Sequence, residues 1–322
     1  MSTLPPGWST RRPTLDDVPG ILAMVQASDV AALGEPDFSA DDVREALTGP
    51  HTDPAQDCWV AVDPTGEIVG WAYPENPSGG VRDFIEVYVH PERGSPALTP
   101  LLSLILGRVA VRAAGFGNDR AVVRAGAIPS ERHWIDALTA AGFGFVKRYA
   151  RMRRDLVDVA PTPPSPPPPL TVRPVRADDD TEMRRFHALI EEAFVDAGEH
   201  PPIDYEAWRV QLDKLPSIAF DEWFVAEVDG DWAGVLQSAD QALDRNEGWV
   251  KMLAVRRPYR RRGVGESLLR RAFATYAAKG RAAAGLGVDL ANPTAPARLY
   301  RAVGMTPAYE CDMFERTIPA AR

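Results

Sequence analysis

The chain has 322 residues, of which 45% are hydrophobic and 25% are charged, and its formal net charge is −9 at pH 7. This composition is typical of a folded globular protein and excludes a disordered chain or a fibre. The acidic balance disfavours a nucleic-acid-binding surface, because neutralising phosphates requires a broad basic face. At roughly 100 to 200 residues per domain, the length predicts two domains.

The sequence shows no secretory or membrane signal. Its first residues, MSTLPPGWSTRRP, lack the apolar stretch of a signal peptide, and no apolar run approaches the roughly 18 residues of a membrane span. We therefore expect a cytoplasmic protein with no membrane partner. Cys58 and Cys311 are far apart, which predicts reduced thiols rather than a disulfide framework. The five histidines show no metal-ligand spacing, so no metal is predicted.

The first predicted element is a hairpin over residues 59–70, in which an apolar strand, a turn containing glycine and a second apolar strand follow one another. The clearest break in composition is the proline-rich stretch 160–170. Its fixed backbone angles forbid helix and favour an extended spacer. At about 3.1 Å per residue the spacer can separate two whole domains. Docking of a proline-recognising domain is the alternative role for this stretch.

The segments on either side of the proline-rich stretch repeat one another at a nearly constant offset. The matching pairs are 12–13 with 173–174, 59–70 with 223–234, 88–89 with 254–255, and 140–143 with 302–305. Such self-similarity indicates two copies of one domain of about 150 residues. We therefore predict a domain at 1–159, a linker at 160–170 and a second domain at 171–322.

The second copy shows a regular order of elements. They are a strand at 170–175, helices at 183–194 and 205–212, the hairpin at 223–234, a strand at 249–255, a helix at 264–276, a strand at 284–290 and a helix at 296–302. The helix at 264–276 is identified by apolar residues at a period of 3.6, and Lys279 and Gly280 end it. Strands and helices that alternate after an antiparallel start predict an α/β fold, with a mixed central sheet flanked by helices in each copy.

The most informative segment joins the strand 249–255 to the helix that follows. Three consecutive arginines, Arg260 to Arg262, precede Gly263 and Gly265. Glycine lets the backbone approach a ligand closely, and the free amides at a helix start favour an anion. The segment therefore predicts a phosphate or pyrophosphate site, with a solvated or RNA-contacting arginine patch as the alternative. The third glycine of a dinucleotide fingerprint is absent, because Leu268 stands there.

This segment resembles the acetyl-CoA signature of the GNAT acetyltransferase superfamily, Arg/Gln-x-x-Gly-x-Gly/Ala, with Arg260, Gly263 and Gly265 at its defining positions. Residues 252–255 are similar to that family's fourth strand, which splays from its neighbour and offers backbone groups to the pantetheine arm. Asn292 and Tyr300 resemble the second half of the family's site, although a turn residue and a packed aromatic are their alternative roles. The resemblance implies acetyl-CoA contacts at Leu253, Ala254, Val255, Arg260, Arg261, Arg262, Gly263, Val264, Gly265, Glu266, Ser267 and Asn292.

The resemblance implies an acetyl-CoA-dependent N-acetyltransferase in which a primary amine attacks directly in a ternary complex. Backbone amides near Leu253 would polarise the acetyl carbonyl, and Tyr300 would protonate the departing thiolate. Families of this type often place a glutamate on the fourth strand, but residues 249–252 hold no carboxylate. We predict Glu247 as the base. Asp240, Asp289, a water chain or an amine that arrives neutral are the alternatives.

The first copy departs from this pattern. Arg93 remains, but Pro96 and Leu98 stand where the glycines fall, and proline cannot donate an amide to a phosphate. At the offset of the repeat, Leu138 and Ser130 replace Tyr300 and Asn292. We predict that the first domain is a degenerate, non-catalytic copy that walls the substrate cleft and stabilises the second. This tandem plan is similar to that of the mycothiol synthase family.

The expected acceptor is a small-molecule or peptide amine. The acidic loop 194–200, which continues to Tyr205 and Trp208, lies where folds of this family bind the acceptor, so a cation is favoured. A solvated connection between helices is the alternative role of this loop. A rival function is that of a non-catalytic acyl-CoA-binding sensor or interaction module, since fold alone does not establish function. A longer acyl donor is also compatible with the sequence.

Overall fold

The computed structural model describes residues 3–49, 51–76, 79–163, 165–195, 202–213, 215, 218–240, 242–243, 245–292, 294 and 296–321. Residue contacts divide the chain into two compact units. Unit 1 comprises Met1–Arg148 and Glu310–Arg322, and unit 2 comprises Tyr149–Tyr309.

Unit 1 is a mixed sheet with helices on both faces. Its strands are β1 (Ser9–Arg11), β2 (Trp59–Val62), β3 (Ile68–Glu75), β4 (Arg82–Val89), β5 (Arg120–Ala127) and the later part of β12 (Thr306–Pro319). Its helices are α1 (Val18–Leu33), α2 (Ala40–Thr48), α3 (Pro54–Asp57), α4 (Ser95–Gly115) and α5 (Arg132–Ala140). The strands pair in the order β1-β2-β3-β4-β5-β12, and only the β4 and β5 pair is parallel.

Unit 2 repeats this plan. Its strands are the later part of β6 (Gly144–Asp155), β7 (Leu170–Pro174), β8 (Phe224–Val228), β9 (Asp231–Ala239), β10 (Glu247–Val255) and β11 (Ala283–Asp289). Its helices are α6 (Asp180–Phe194), α7 (Tyr205–Asp213), α8 (Val264–Ala278) and α9 (Ala297–Ala302). The order is β7-β8-β9-β10-β11-β6, and only the β10 and β11 pair is parallel. The predicted mixed α/β sheet with flanking helices is confirmed in both units.

The sixth strand of each sheet comes from the other half of the sequence. The sheet of unit 1 is completed by β12, which pairs with β5 from Asp312 to Pro319. The sheet of unit 2 is completed by β6, which pairs with β11 from Tyr149 to Asp155. The units therefore differ from the predicted domain ranges at these two strands. The described residues of the proline-rich stretch, 160–163 and 165–170, contain no helix before β7 begins at Leu170.

Helix α4 forms the centre of one core layer of unit 1. Among the described residues it is the one helix long and apolar enough to cross a membrane, with a mean hydropathy of 1.5 in an 18-residue window that is 50% buried. The sequence pattern alone predicts no run of this kind. Leu101, Ile105 and Val109 are fully buried against the sheet, and Arg108 forms an ion pair with Asp57 at 2.7 Å. These contacts assign α4 to the core.

The core of unit 2 has one apolar layer on each face of its sheet. Helix α8 packs on one face through Leu268, Leu269 and Phe273, all of them buried. The 3.6-residue apolar period predicted for this helix thus matches the buried face. Helices α6 and α7 cover the other face. The Tyr276 hydroxyl at the end of α8 lies 2.5 Å from the Ser238 hydroxyl of β9, which joins helix and sheet by a buried polar contact.

Gly248 of β10 lies directly under the ring of Tyr276, and a Cβ atom built on it would overlap three ring atoms. We therefore expect Gly248→Ala to lower the free energy of unfolding by about 1 to 3 kcal/mol, because the ring cannot move without opening the core. Urea unfolding of the full chain measures this change. Gly287→Ala in β11, where nothing lies within 4 Å of the added Cβ, is the matched control. Equal losses in the two variants would contradict the close packing.

Candidate active site

Strands β10 and β11 are parallel neighbours that soon separate. They pair over three residues only, 247–249 with 283–285. Beyond this point β10 continues beside β9 as far as Val255, whereas β11 continues beside β6. In the part of the chain that the structure describes, one edge of β10 over 250–255 therefore has no strand partner. This geometry agrees with the implied splayed strand, which holds the predicted contacts Leu253, Ala254 and Val255.

The loop after β10 turns the chain sharply into α8. Arg257–Tyr259 form one turn of 3-10 helix. Arg261 and Gly263 then adopt left-handed backbone angles, with φ of 64° and 78°. Glycine takes this conformation without the clash that a Cβ atom causes. Nothing lies within 4 Å of a Cβ built on Gly263, so the backbone angle and not crowding favours glycine here.

The first turn of α8 leaves backbone amides free. Gly263 supplies no side-chain cap, and the amide of Ser267 is the first to bond within the helix, donating to the Gly263 carbonyl oxygen at 2.9 Å. The amides of Val264, Gly265 and Glu266 donate to no acceptor among the described residues. Three free donors at the positive end of a 15-residue helix form a site that fits an anion.

The three predicted arginines have different roles. Arg260 folds back on the protein, where its Nε donates to the Val255 carbonyl oxygen at 3.1 Å and a terminal nitrogen donates to the Ala193 carbonyl oxygen at 3.3 Å. This side chain holds the loop against α6. Arg261 and Arg262 are exposed immediately before the start of α8. The two exposed arginines are therefore the ones placed to attract a phosphate.

Gly265 permits a close approach of two helices. A Cβ atom built on it lies 2.8 Å from Cδ2 of Leu299 in α9, so a larger residue would push α8 and α9 apart. The next residue after Leu299 is Tyr300, which is 8% exposed and belongs to the core of unit 2. Burial raises the pKa of Tyr300 to about 12. Its phenol therefore stays protonated at neutral pH and is able to donate a proton.

Two further predicted contacts have their side chains engaged elsewhere. Asn292 Oδ1 accepts from the Thr294 amide at 2.9 Å and from the Thr294 hydroxyl at 2.7 Å, as in a local turn. The contacts of Asn292 therefore agree with its alternative role as a turn residue. Glu266 pairs with Arg270, one turn further along α8, at 2.9 Å. Only the backbone amide of Glu266 is thus available to an anion.

The predicted base, Glu247, is held by two arginines of β6. Its Oε2 accepts from Arg151 at 2.7 Å and its Oε1 accepts from Arg153 at 2.7 Å. Glu247 is also 5% exposed, at the start of β10. With both carboxylate oxygens bound to guanidinium groups, Glu247 is poorly suited to take a proton from an amine, so the structure argues against that role. The alternative Asp289 accepts from the Ala291 amide at 2.8 Å.

The predicted acceptor loop lies partly outside the described residues, which exclude 196–201. The aromatic residues that follow it pack inside unit 2. Tyr205 donates its hydroxyl to Asp180 at 2.6 Å, and burial together with this bond raises the pKa of Tyr205 to about 12. Trp208 is 8% exposed, and its ring centroid lies 5.1 Å from that of His187. Both aromatic side chains are therefore engaged in the structure of α6 and α7.

Residues 183–305 match the profile of the acetyltransferase (GNAT) family. The predicted resemblance to the GNAT superfamily is confirmed. The matched segment runs from α6 to the end of α9 and includes the loop with its free amides. No curated protein sequence matches the chain significantly.

Solved structures extend the GNAT likeness to the whole chain. A GCN5-related N-acetyltransferase from Sphaerobacter thermophilus is 26% identical, with a TM-score of 0.83 over 99% of this chain and 98% of its own. A tandem GNAT protein from the clavulanic acid biosynthesis pathway is 17% identical, with a TM-score of 0.65 over 98% and 99%. A GCN5-related N-acetyltransferase from Kribbella flavida is 16% identical, with a TM-score of 0.50 over 90% and 95%. The chain has the fold of a tandem GNAT protein.

The corresponding loop of unit 1 is built differently from the GNAT loop of unit 2. Helix α4 has Pro96 in its first turn, and the amide of Ala97 is bonded to the Gly94 carbonyl oxygen at 2.9 Å. Arg93 pairs with Glu67 at 2.6 Å and with Asp63 at 3.3 Å. Fewer amides and a neutralised arginine make this helix start a weaker anion site than that of α8. These contacts support the prediction of a degenerate first copy, which stays a prediction.

A carboxylate that the sequence analysis missed lies on the sheet of unit 1. Glu86 is on β4, directly opposite Tyr73 of β3. Burial raises the pKa of Glu86 to about 8, with further contributions from the charges of Glu75 and Glu131. The internal repeat could have identified Glu86, because matching Tyr88 with Ala254 places Glu86 on the strand equivalent to β10. Unit 1 therefore has a carboxylate at the strand position that Met252 occupies in unit 2.

The raised pKa of Glu86 predicts a pH-dependent stability. The unfolded chain ionises this group near its ordinary pKa of about 4.3, whereas the folded chain keeps the proton to about pH 8. Stability is therefore lost as pH rises through this window. We expect Glu86→Gln to be more stable than the parent chain above pH 7, by about 1 kcal/mol or more after solvent screening. The advantage should shrink toward pH 5.

Urea unfolding at pH 5 and pH 8 measures this difference. Glu35→Gln is the matched control, because Glu35 is an exposed glutamate of the same unit. The gain in stability over the parent between pH 5 and pH 8 should be larger for Glu86→Gln than for this control. A Glu86→Gln variant whose advantage over the parent does not grow with pH would show that the carboxyl ionises normally in the folded chain.

Proposed function

We propose that this protein is an acetyl-CoA-dependent N-acetyltransferase whose active site lies in unit 2. The observation that supports this most directly is the Arg260-x-x-Gly263-x-Gly265 loop, which delivers three free amides at the start of α8 beside the open edge of β10. The amides and the exposed Arg261 and Arg262 would hold the pyrophosphate of acetyl-CoA. The open edge of β10 would bond to the pantetheine arm.

The proposed reaction is a single transfer in a ternary complex. The nitrogen of a neutral amine attacks the acetyl carbonyl carbon, a carbon–nitrogen bond forms, and the carbon–sulfur bond breaks. Backbone amides near Leu253 would stabilise the negative charge on the carbonyl oxygen. Tyr300 would give its proton to the departing thiolate, since its raised pKa keeps it protonated until then.

The proton that the attacking amine loses needs an acceptor. Because Arg151 and Arg153 occupy Glu247, we propose that the proton leaves through a water chain or that the amine binds already neutral. Glu247 then acts as a positioning residue that fixes the start of β10 against β6. We also propose an amine acceptor, a cytoplasmic location, and no nucleic-acid or membrane partner. The relation to the mycothiol synthase family stays a prediction.

The cofactor proposal predicts one acetyl-CoA site per chain. Calorimetric titration of the full chain with acetyl-CoA should give a stoichiometry of one, and Arg261→Gln with Arg262→Gln should weaken binding about tenfold by removing two charge-assisted contacts. Arg132→Gln is the control, since Arg132 is an exposed arginine of unit 1. A stoichiometry of two would give unit 1 a cofactor site, and no binding would remove the basis of the proposal.

The proton-donor proposal predicts that Tyr300→Phe lowers turnover at least about tenfold, because general acid catalysis contributes that much or more. Acetyl-CoA affinity should change little, since the ring that packs in the core is kept. Release of free CoA thiol, measured with a panel of amines and peptides, gives the rate. Equal rates in the two proteins would contradict the assigned role. The absence of any amine-dependent release by the parent chain would favour the rival acyl-CoA sensor.

A further inference from the structure

Unit 1 contains a cleft of about 300 Å³ between helix α2 and the end of β3. Its floor is made by Phe38, Tyr73 and Asn76, and its rim carries Asp42, Glu45 and Glu75. The volume is at the lower end of the range of about 300 to 1,000 Å³ that is usual for small-molecule sites. The cleft is far in sequence from the glycine-rich loop of unit 2, and no role in the proposed acetyl transfer accounts for it.

The rim of this cleft carries uncompensated negative charge. Its lining residues include three carboxylates and no lysine, arginine or histidine. Asp42 is engaged at the start of α2, where it accepts from the Ser39 amide and hydroxyl at 2.7 Å. In the part of the chain that is described, neither Glu45 nor Glu75 forms an ion pair. Partial desolvation and the charge of Glu45 raise the pKa of Glu75, so the two carboxylates repel one another.

The floor supplies a buried polar group that lacks a partner. Tyr73 is 2% exposed and lines the cleft. Its hydroxyl makes no hydrogen bond with any residue that the structure describes. Because Tyr73 lines the cleft, a ligand bound there can form a hydrogen bond with this hydroxyl. The Tyr73 hydroxyl is therefore an independent indication of a ligand, separate from the acidic rim.

Aromatic rings extend this floor beneath the carboxylates. Trp71 stacks on Tyr73 at a centroid distance of 4.1 Å and meets the edge of Phe38 at 6.4 Å. Tyr73 also lies directly opposite Glu86 on the neighbouring strand. The faces of aromatic rings attract cations, and they do so best where water is excluded. The aromatic residues that line the cleft, Phe38 and Tyr73, thus favour a cation in addition to the acidic rim.

The chemistry of the lining indicates an organic cation rather than a metal ion. Within the described ranges, no group of three or more carboxylate, histidine or cysteine side chains is placed to hold a metal. Aromatic faces and a phenol instead suit a ligand that has an apolar body and a charged head. A primary ammonium group also offers three N–H donors to the carboxylates and to the Tyr73 hydroxyl.

We propose that unit 1 binds a small primary ammonium ion in this cleft, with its charge between Glu45 and Glu75 and its apolar part on Phe38 and Tyr73. Unit 1 is then a ligand-binding unit and not only a degenerate copy. The proposal does not depend on acetyl transfer in unit 2, because every residue of the cleft belongs to unit 1.

Calorimetric titration of the full chain with hexylammonium chloride at pH 9 and low salt tests the proposal. We expect one saturable site, with hexan-1-ol and sodium hexanoate binding at least tenfold more weakly, since they keep the chain and remove or reverse the charge. Raising the salt concentration should weaken hexylammonium binding, because the rim carboxylates are exposed and screened. Hexan-1-ol binding as tightly as hexylammonium, or no saturable binding of hexylammonium, would overturn the proposal.

Two variants locate the site. Glu75→Gln should weaken hexylammonium binding about tenfold, and Tyr73→Phe should weaken it several-fold while the chain stays folded, because the lost hydroxyl has no partner among the described residues. Glu35→Gln, an exposed acid of the same unit, should bind as the parent does. Unchanged affinity in both Glu75→Gln and Tyr73→Phe would place the cation elsewhere and refute the site. Acetyl-CoA titrations of the same variants should stay unchanged, so failure here is distinguishable from failure of the proposed acetyl transfer.

Discussion

The short parallel pairing in the middle of each sheet is the constraint on which both units depend. In unit 2 it covers 247–249 with 283–285, and in unit 1 it covers 82–84 with 122–124. A parallel pair that continued would satisfy the backbone of both strands and close the sheet. Because the pairing stops after three residues, residues 250–255 of β10 keep backbone groups on one edge that a ligand can bind. In unit 1 the same separation means that β5 does not pair with residues 85–89 of β4, which include Glu86.

Each unit takes the sixth strand of its sheet from the other half of the sequence, so neither half contains a whole sheet. Residues 149–155 precede the proline-rich stretch but pair with β11 of unit 2, and residues 312–319 close the chain but pair with β5 of unit 1. A cut at the proline-rich stretch would leave each sheet without its sixth strand and would expose unpaired backbone. Function is therefore best measured on the full chain. The internal repeat is a repeat of topology that does not yield two self-sufficient halves.

Local patterns made much of the site in unit 2 predictable. The apolar period of α8 and the positions of Gly263 and Gly265 are properties of neighbouring residues, so the sequence shows them directly. The other features of the site depend on contacts between residues that are far apart in the sequence. The ion pairs of Glu247 with Arg151 and Arg153 join strands that lie far apart in the chain, and no spacing rule predicts them. The folding back of Arg260 onto α6 is likewise a tertiary contact.

The same distinction explains the residues missed in unit 1. The pKa of Glu86 rises because β3, β4 and α5 bring Glu75 and Glu131 near it in a desolvated place, and a sequence shows neither burial nor proximity of this kind. The exchange of β6 and β12 was hidden for a related reason. Both strands continue the pattern of the copy in which they stand in sequence, and only pairing shows which sheet they complete.

The two proposed sites divide charge recognition between the units. Unit 2 has free amides and exposed arginines at the start of α8, while Glu247, a buried carboxylate near the splayed strands, is already paired with two arginines. Unit 1 has the reverse, because Pro96 and the ion pairs of Arg93 weaken its helix start while carboxylates around Tyr73 stay uncompensated. Under the proposed ammonium site, the first copy is specialised for cations and is not an empty scaffold.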